Sequence, residues 1–176
     1  MDEEIFWDLI EESLQSVNNV EEKDAQLDHL IENLEKLSKD SILEFQRIMY
    51  QKFHALYSWD LYAAHSLLFG TSSDDNFQDF RAWIISCGKK YYQAALSDPE
   101  LLSGLLDQGE YPVFEGFQKA GWRTFTILDI TRNDDDWRKM PPSPKELSNK
   151  KSWEVEHLED ISFLANKFPI LAQYDI

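Results

Sequence analysis

The chain has 176 residues, of which 43% are hydrophobic and 14% aromatic, enough to bury a core within a single domain. Its formal net charge of −16 repels phosphate backbones, which argues against direct nucleic-acid binding. A single cysteine, Cys87, cannot form an internal disulfide and is expected to be buried. Because no long apolar run or signal-type leader is seen, we expect a cytoplasmic protein without a membrane span.

The first helical segments carry most of the negative charge. Residues 1–44 contain 14 acidic and 3 basic residues, residues 45–97 contain 4 and 5, and residues 98–176 contain 15 and 9, giving balances of −11, +1 and −6. Such a surface can simply keep the protein soluble, or it can attract a basic partner. We define the acidic face by the residues that would form this docking surface: Glu11, Glu12, Glu21, Glu22, Asp28, Glu32 and Glu35.

Residues 2–37 are predicted to form an N-terminal acidic helical hairpin. Apolar residues at helical spacing indicate one helix that begins with an acidic first turn and ends at Asn18-Asn19, and a second over residues 21–37. Glu32 and Lys36, four residues apart, are expected to form an exposed ion pair.

Residues 39–98 are predicted to form the central core hairpin. A helix capped within residues 38–41 either continues to Phe69 or kinks near Ser58, and the periodicity leaves both open. After a break at residues 70–73, one further helix is expected from Asp74 to Asp98, with Lys89-Lys90 in its last turns. The core positions of that helix are predicted to be Phe77, Phe80, Ile84, Cys87, Tyr91 and Ala95.

Residues 99–176 are predicted to contain C-terminal helices and a loop. Asp98 and Pro99 indicate the start of a short helix, and Glu156 to Lys167 a final one. The aromatic and proline-containing segment 111–151 is irregular: residues 124–130 suit a strand or a helix, and residues 133–144 a surface loop. The predicted fold is an all-α, single, bundle-like domain of about six to eight helices.

Several short motifs together resemble the bacterial family known as domain of unknown function 4240 (DUF4240). They are Phe6-Trp7, Phe45-Gln46, Trp59-Asp60-Leu61, Ala63-Ala64, Ser73-Asp74-Asp75-Asn76-Phe77, Asp79-Phe80-Arg81-Ala82-Trp83, Gly88, Ala95, Asp98-Pro99, Phe168-Pro169 and Leu171. The likeness is densest in the central hairpin. The family has no established activity, so the resemblance implies only a small, mostly helical bacterial protein.

One polar and aromatic cluster lies around the break at residues 70–73, and it is the candidate ligand or interaction site. Its members are Trp59, Asp60, Ser73, Asp74, Asp75, Asp79, Arg81 and Trp83. Carboxylates beside a guanidinium can hold a cation or position a polar substrate. The alternative is structural: Ser73 or Asp74 caps a helix, Arg81 pairs with an acid such as Asp60 or Asp79, and the tryptophans anchor the core.

No motif assigns a catalytic residue, a metal ion or a cofactor. His29, His54, His65 and His157 include no pair at metal-ligand spacing, and Asp134 to Asp136 lack the spacing of a calcium loop. Two function hypotheses follow. The first is a non-catalytic interaction protein, immunity-protein-like or regulatory, that docks a basic protein on its acidic face. The alternative is a small-ligand binder or enzyme that uses Asp60, Asp74, Asp75, Asp79 and Arg81. No oligomeric state is predicted.

Overall fold

The computed structural model describes residues 1–17, 22–70, 73–107, 109, 111–149 and 153–174. Within these residues the chain is all-α, as predicted, and contains no β-strand. Its helices are α1 (Glu3–Gln15), α2 (Lys23–Glu35), α3 (Lys39–Ala55), α4 (Trp59–Phe69), α5 (Asp74–Ser86), α6 (Lys89–Ser97), α7 (Ser103–Leu106), α8 (Ala120–Ile127), α9 (Asp134–Arg138) and α10 (Ile161–Lys167). Short 3-10 helices cover Pro99–Leu102, Phe117–Lys119, Val155–Leu158 and Leu171–Gln173.

Helices α1 and α2 pack against each other. Asp2 caps α1, since its carboxylate accepts a hydrogen bond from the Ile5 amide at 3.0 Å. The expected end of this helix at Asn18-Asn19 lies outside the described residues, and α1 ends at Gln15. The expected Glu32–Lys36 pair is not formed, because Lys36 Nζ donates to Asn33 Oδ1 at 2.8 Å.

Helices α3 and α4 are separate, which decides between the two possibilities left open near Ser58. The Ser58 hydroxyl caps α4 by accepting a hydrogen bond from the Leu61 amide at 3.3 Å. The extended backbone at Ser58 also pairs with a distant segment: the Trp59 amide donates to the Ser148 carbonyl, and the Ser148 amide to the Tyr57 carbonyl, both at 3.0 Å. The break between the helices is therefore fixed by a cap and by pairing with the C-terminal part of the chain.

The prediction of one continuous helix from residue 74 to 98 is wrong, because the chain turns at Gly88. Gly88 has a φ of 89°, a left-handed value that ends α5 and precedes α6. Lys89 and Lys90 consequently begin a helix instead of ending one. Glu11 of α1 supports this turn, since its Oε1 accepts a hydrogen bond from the Lys89 amide at 3.3 Å. Apolar spacing continues across the turn and so could not reveal it.

Replacing Gly88 by alanine is expected to lower the free energy of unfolding by about 1–2 kcal/mol, because an L-residue is strained at this φ. The added Cβ would also lie 3.4 Å from Glu11 Cγ. Urea unfolding monitored by circular dichroism measures the change. Gly104→Ala is the matched control, since Gly104 lies in α7 without a positive φ and should keep or raise stability. Equal effects of the two substitutions would contradict the prediction.

Residues 124–127 are helical, so the helix is the correct alternative at the start of the 124–130 segment. They lie in α8, which passes through Gly121. A Cβ at Gly121 would lie 2.9 Å from Gln46 Oε1, so glycine allows α8 to approach α3 closely. The side-chain amide of Gln46 then connects α3 to α8 and to the turn before it. Its Nε2 donates to the Gln118 carbonyl at 2.8 Å, and its Oε1 accepts from the Trp122 backbone amide at 3.3 Å.

The expected surface loop at residues 133–144 is wrong in its first part, where α9 forms. Asn133 Oδ1 accepts from the Asp136 amide at 2.9 Å, and Asp136 Oδ2 accepts from the Asn133 amide at 3.0 Å. This reciprocal cap, together with three aspartates in the first turn, stabilises a helix of only five residues. With the division at Gly88, it explains why the described residues contain ten α-helices instead of six to eight.

The core lies where the apolar spacing predicted it, except that Tyr91 is half-buried and its neighbour Tyr92 is buried instead. Phe77, Phe80 and Ile84 are completely buried, and Cys87 is buried without a disulfide. One continuous cluster of buried apolar side chains connects these residues with those of α1 to α4, α6 and α10. The acidic side chains of α1 and α2 are left mostly at the surface.

Candidate functional site

The two tryptophans of the predicted cluster belong to the core. Trp83 is 1% exposed, and its ring stacks on Phe80 with the centroids 5.6 Å apart. Trp59 is 8% exposed at the start of α4. Neither residue presents a free aromatic face to a ligand, which favours the structural interpretation for both.

Asp60 faces the C-terminal helix α10 instead of the start of α5. Its Oδ1 accepts a hydrogen bond from Trp153 Nε1 at 3.0 Å and lies 3.9 Å from Lys167 Nζ. Asp60 lines a hollow of about 410 Å³ together with Glu100 and Lys167. No other acidic residue of the predicted cluster lines that hollow. Asp60 is thus separated from the other carboxylates of the cluster.

The residues around the beginning of α5 mainly form its cap. The Ser73 hydroxyl accepts a hydrogen bond from the Asn76 amide at 3.2 Å, so Ser73, and not Asp74, is the N-cap. Asp74 and Asp75 follow in the first turn, where the helix dipole favours negative charge. The residue types at these positions are therefore accounted for by the helix.

The expected ion pair of Arg81 with Asp60 or Asp79 is wrong: within the described residues, Arg81 forms no salt bridge. Its Nε donates to the Phe77 carbonyl at 3.3 Å, and its Nη1 donates to the Phe53 carbonyl at 3.2 Å. The Phe53 carbonyl belongs to the last turn of α3, where carbonyls lack helical partners. Arg81 therefore caps the C-terminal end of α3 from a neighbouring helix.

Three aromatic rings surround the Arg81 guanidinium. Its Cζ lies 4.0 Å from the ring centroid of Phe53, 4.8 Å from that of Phe77 and 4.9 Å from that of Tyr57. Burial lowers the pKa of Arg81 to about 10, so the side chain remains protonated at neutral pH. The arrangement is a buried structural cation, and it leaves Arg81 unavailable to a surface ligand.

Asp75 and Asp79 are the two members of the predicted cluster that share a concave surface. We call it the polar hollow; its volume is about 430 Å³, and it is lined by Asp75, Gln78, Asp79, Glu115, Gly116, Gln118, Lys119 and Arg123. Burial raises the pKa of Asp79, and the negative charges of Glu115 and Asp75 raise it further. A carboxyl in this setting can retain a proton or accept a cation more readily than an isolated surface aspartate.

A second hollow adjoins the first and is lined mainly by aromatic and other apolar side chains. We call it the aromatic hollow; its volume is about 410 Å³, and it is lined by Tyr50, Phe53, His54, Gln78, Gln118, Lys119, Trp137, Met140, Pro141, Pro142 and Ser143. Gln78, Gln118 and Lys119 line both hollows, so the two form adjoining halves of one groove. The groove lies between α3, α5 and the loop that follows α9.

Two buried polar atoms beside the aromatic hollow lack hydrogen-bond partners among the described residues. They are His54 Nδ1 and Gln118 Oε1. Burial and the nearby charge of Arg81 lower the pKa of His54, so its imidazole is neutral at pH 7. An unsatisfied buried acceptor costs about 1–3 kcal/mol, so these atoms call for an explanation.

Sequence patterns did not identify the aromatic hollow. Tyr50 and His54 read as ordinary positions of a helix, and Trp137 and Pro141 as parts of a loop. These residues are brought together only by the packing of α9 and the following loop against α3. The one available signal was a tryptophan four residues before a proline-rich segment in an otherwise polar stretch.

The acidic face is largely exposed. Glu12, Glu22, Asp28 and Glu32 are exposed, Glu35 is half-buried, and Glu21 lies outside the described residues. Glu11 is half-buried because its carboxylate supports the turn before α6. None of these side chains takes part in a salt bridge in the described ranges.

The described part of the chain meets the requirements of neither a metal site nor a membrane-spanning helix. Histidine, cysteine, aspartate and glutamate side chains form no group of three or more there that could hold a metal ion. No helix in this part combines the length and apolar character needed to cross a bilayer.

Comparison with known proteins identifies the family. Neither the curated proteins nor the solved structures include a significant match to this chain. The family model described as "Protein of unknown function (DUF4240)" matches residues 1–126, which include α1 to α7 and nearly all of α8. The match therefore contains the core helices and most of the groove, and the chain belongs to the DUF4240 family.

Proposed function

We propose that the protein is a non-catalytic cytoplasmic interaction protein that docks a basic partner protein on its acidic face. Such a partner would be a basic enzyme that acts on nucleic acid, neutralised or regulated by this chain. The observation that supports the proposal is the row of carboxylates along α2 without neutralising cations in the described residues.

The spacing of these carboxylates suits a cationic surface. Asp28, Glu32 and Glu35 are separated by four and three residues, so they lie on one side of α2. With a rise of about 1.5 Å per residue, they span about 10 Å along the helix axis. Lysine and arginine side chains at the same spacing on a partner helix would lie opposite them, and their attraction would accelerate encounter.

Two carboxylates in the first turn of α1 are neutralised by lysines of neighbouring helices. Lys52 of α3 lies 2.7 Å from Glu3, and Lys89 of α6 lies 2.6 Å from Glu4. The hydrogen bond from Lys52 is the largest factor that lowers the pKa of Glu3. The chain thus balances charge where α1 contacts its neighbours and leaves it unbalanced on the outer side of α2.

Neutralising three charges of the acidic face is expected to weaken binding to a basic probe. In the Asp28→Asn, Glu32→Gln, Glu35→Gln variant, we expect affinity for poly-L-lysine to fall about tenfold at low salt, with about 0.5 kcal/mol lost per exposed pair. The salt dependence of binding should also become shallower. Isothermal titration at several salt concentrations measures both.

The matched control neutralises three exposed carboxylates outside the acidic face: Glu146→Gln, Glu156→Gln and Glu159→Gln. Its net charge changes by the same amount, so it should retain most of the affinity. Equal losses in the two variants would mean that binding follows only net charge. That result, or no salt-sensitive binding by the unmodified chain, would contradict the proposal.

The alternative function has less support from the geometry. A ligand site or enzyme built from Asp60, Asp74, Asp75, Asp79 and Arg81 requires these side chains to converge. Asp60 is bonded to Trp153, and Arg81 is enclosed by core rings. Only Asp75 and Asp79 remain together, in the polar hollow.

A further inference from the structure

A proline-rich stretch at the end of α9 forms a second exposed surface, separate from the acidic face. We call residues 138–145 the proline segment. We infer that this segment is the ligand of a partner protein whose groove is lined by aromatic side chains and flanked by carboxylates. The inference goes beyond the proposed function, because it concerns another surface and a binding site of opposite charge.

The residue types of the proline segment restrict its backbone to extended conformations. The segment reads Arg-Lys-Met-Pro-Pro-Ser-Pro-Lys. Proline fixes φ near about −65°, and a residue that precedes a proline is confined to extended or polyproline II conformations, so the two constraints together cover residues 140–144. Pro141 and Pro144 are three residues apart, which is the P-x-x-P spacing that aromatic-lined grooves recognise in a polyproline II helix.

The backbone that follows α9 takes no part in secondary structure. Residues 141–147 lie in neither a helix nor a strand. None of their backbone groups forms a hydrogen bond with another described residue. Their carbonyl groups are therefore available to a partner, and the tryptophan N–H and tyrosine O–H groups of an aromatic-lined groove are suitable donors.

Contacts at both ends hold the proline segment in place. At its start, the ring of Trp137 packs on that of Trp122 with the centroids 4.9 Å apart, and the Met140 amide donates to the Trp137 carbonyl at 3.0 Å. Beyond its end, the Ser148 amide donates to the Tyr57 carbonyl at 3.0 Å. A stretch that is fixed at both ends and restricted by prolines loses less conformational entropy on binding than a free chain.

The outward side of the proline segment is accessible to a partner. Pro142, Ser143, Pro144 and Lys145 are exposed, whereas Pro141 is half-buried and lines the aromatic hollow. A polyproline II helix has three residues per turn, so one side of it can rest on the molecule while the other sides face solvent. The segment therefore presents its last two prolines to a groove without any rearrangement of the core.

Two side chains at the start of the segment are of the types that dominate binding energy at protein interfaces. Trp137 is 50% exposed, and the side chain of Arg138 is 75% exposed. Tryptophan and arginine are enriched among the residues whose truncation weakens binding most. Arg138 pairs with Asp135 at 2.8 Å, but both partners are exposed, so the pair is weak and Arg138 can exchange it for a carboxylate of the groove.

The local charge favours a groove that carries carboxylates. Residues 138–145 contain three cations and no carboxylate, and Glu146 leaves a balance of +2 over residues 138–146. Lys139 and Lys145 form no salt bridge with the described residues. Charges more than about 8 Å apart are largely screened at physiological salt. These cations therefore affect a partner at the segment more than the net charge of −16 does.

An SH3 domain, a WW domain and an EVH1 domain are suitable probes, because each binds proline-rich segments in an aromatic-lined groove. We expect at least one of them to cause saturable shifts in ¹H–¹⁵N spectra of the full chain. The shifts should be centred on residues 137–148 and include the indole of Trp137. For that domain, the Pro142→Ala, Pro144→Ala variant should bind about tenfold more weakly or worse.

The charges of the segment are tested with the Lys139→Gln, Lys145→Gln variant. Two exposed pairs contribute about 0.5 kcal/mol each, so the affinity for the same domain should fall about fivefold at low salt. The dependence of affinity on salt should also become shallower.

Pro169→Ala is the matched control, since Pro169 is an exposed proline outside the segment and its replacement should leave the affinity unchanged. Pro142 and Pro144 are exposed, so the melting temperature of their double variant should stay close to that of the unmodified chain. The Asp28→Asn, Glu32→Gln, Glu35→Gln variant should bind the probe domain normally. The double proline variant should in turn bind poly-L-lysine normally, which separates this inference from the proposed docking function.

Three outcomes would overturn the inference. One is the absence of saturable shifts with all three domains. Another is equal affinity of the unmodified chain and the double proline variant, which would mean that the prolines are not recognised. The last is localisation of the shifts to the acidic face instead of residues 137–148.

Discussion

Replacing Arg81 by alanine is expected to lower the free energy of unfolding by about 2–4 kcal/mol, the range for truncating a large buried side chain. The substitution removes a side chain enclosed by three rings and leaves the Phe53 carbonyl at the end of α3 without its donor. Burying the guanidinium charge is itself unfavourable, as the lowered pKa of Arg81 shows. The substitution also removes this penalty. We therefore expect the loss of unfolding free energy to be smaller than the sum of the individual contacts.

Urea unfolding of Arg81→Ala and Arg81→Met separates volume from hydrogen bonding. Methionine fills much of the same space, so we expect it to lose only about 1–2 kcal/mol, the cost of the missing donor. Arg138→Ala, which removes an exposed pair with Asp135, should change stability by less than about 1 kcal/mol. If Arg81→Met matched the unmodified chain, the proposed cap of α3 would contribute nothing.

Acidification from pH 7.5 to 4.5 is expected to reduce stability by about 2.5 kcal/mol through His65 alone. His65 is completely buried on α4, and its ring lies 4.6 Å from that of Phe69 and 5.3 Å from that of Phe80. Burial lowers its pKa from 6.5 to about 4. Between these values the unfolded chain binds a proton that the folded chain does not, so stability falls as the pH decreases and levels off below pH 4.

The comparison of the unmodified chain with His65→Leu isolates this effect. Leucine has a similar volume and cannot be protonated, so the variant should lose about 2.5 kcal/mol less over the same pH range. Carboxylates with lowered pKa values, such as Glu3 and Asp136, also lose their stabilising effect in acid, but they do so in both proteins. Parallel stability curves for the two proteins would contradict the prediction, because they would mean that folding does not lower the pKa of His65.

Local patterns predicted the features that depend on neighbouring residues. The apolar spacing of Phe77, Phe80 and Ile84 predicted a buried helix face. Short polar side chains predicted caps within residues 38–41 and at Ser73 or Asp74, and the caps are Ser38 and Ser73. The turn at Gly88 was missed because a single glycine inside a periodic segment does not reveal its φ.

The sites could not be predicted because they depend on distant contacts. Arg81 was assigned a carboxylate partner, whereas a backbone carbonyl, its actual acceptor, has no sequence signal. His54, Gln118 and Trp137 meet in the aromatic hollow although more than sixty residues separate the first from the second. Side-chain chemistry at such positions becomes informative only after the packing is known.

The pairing of Ser58 with Ser148 shows that residues beyond the family match contact residues within it. The family match stops at residue 126, yet Ser148 supplies backbone partners at the junction of α3 and α4, and the indole of Trp153 reaches Asp60. Trp153, Leu164, Phe168 and Leu171 are part of the main buried cluster. The end of the family match therefore lies inside the packed core, and the described residues after 126 that join this cluster are an integral part of the fold.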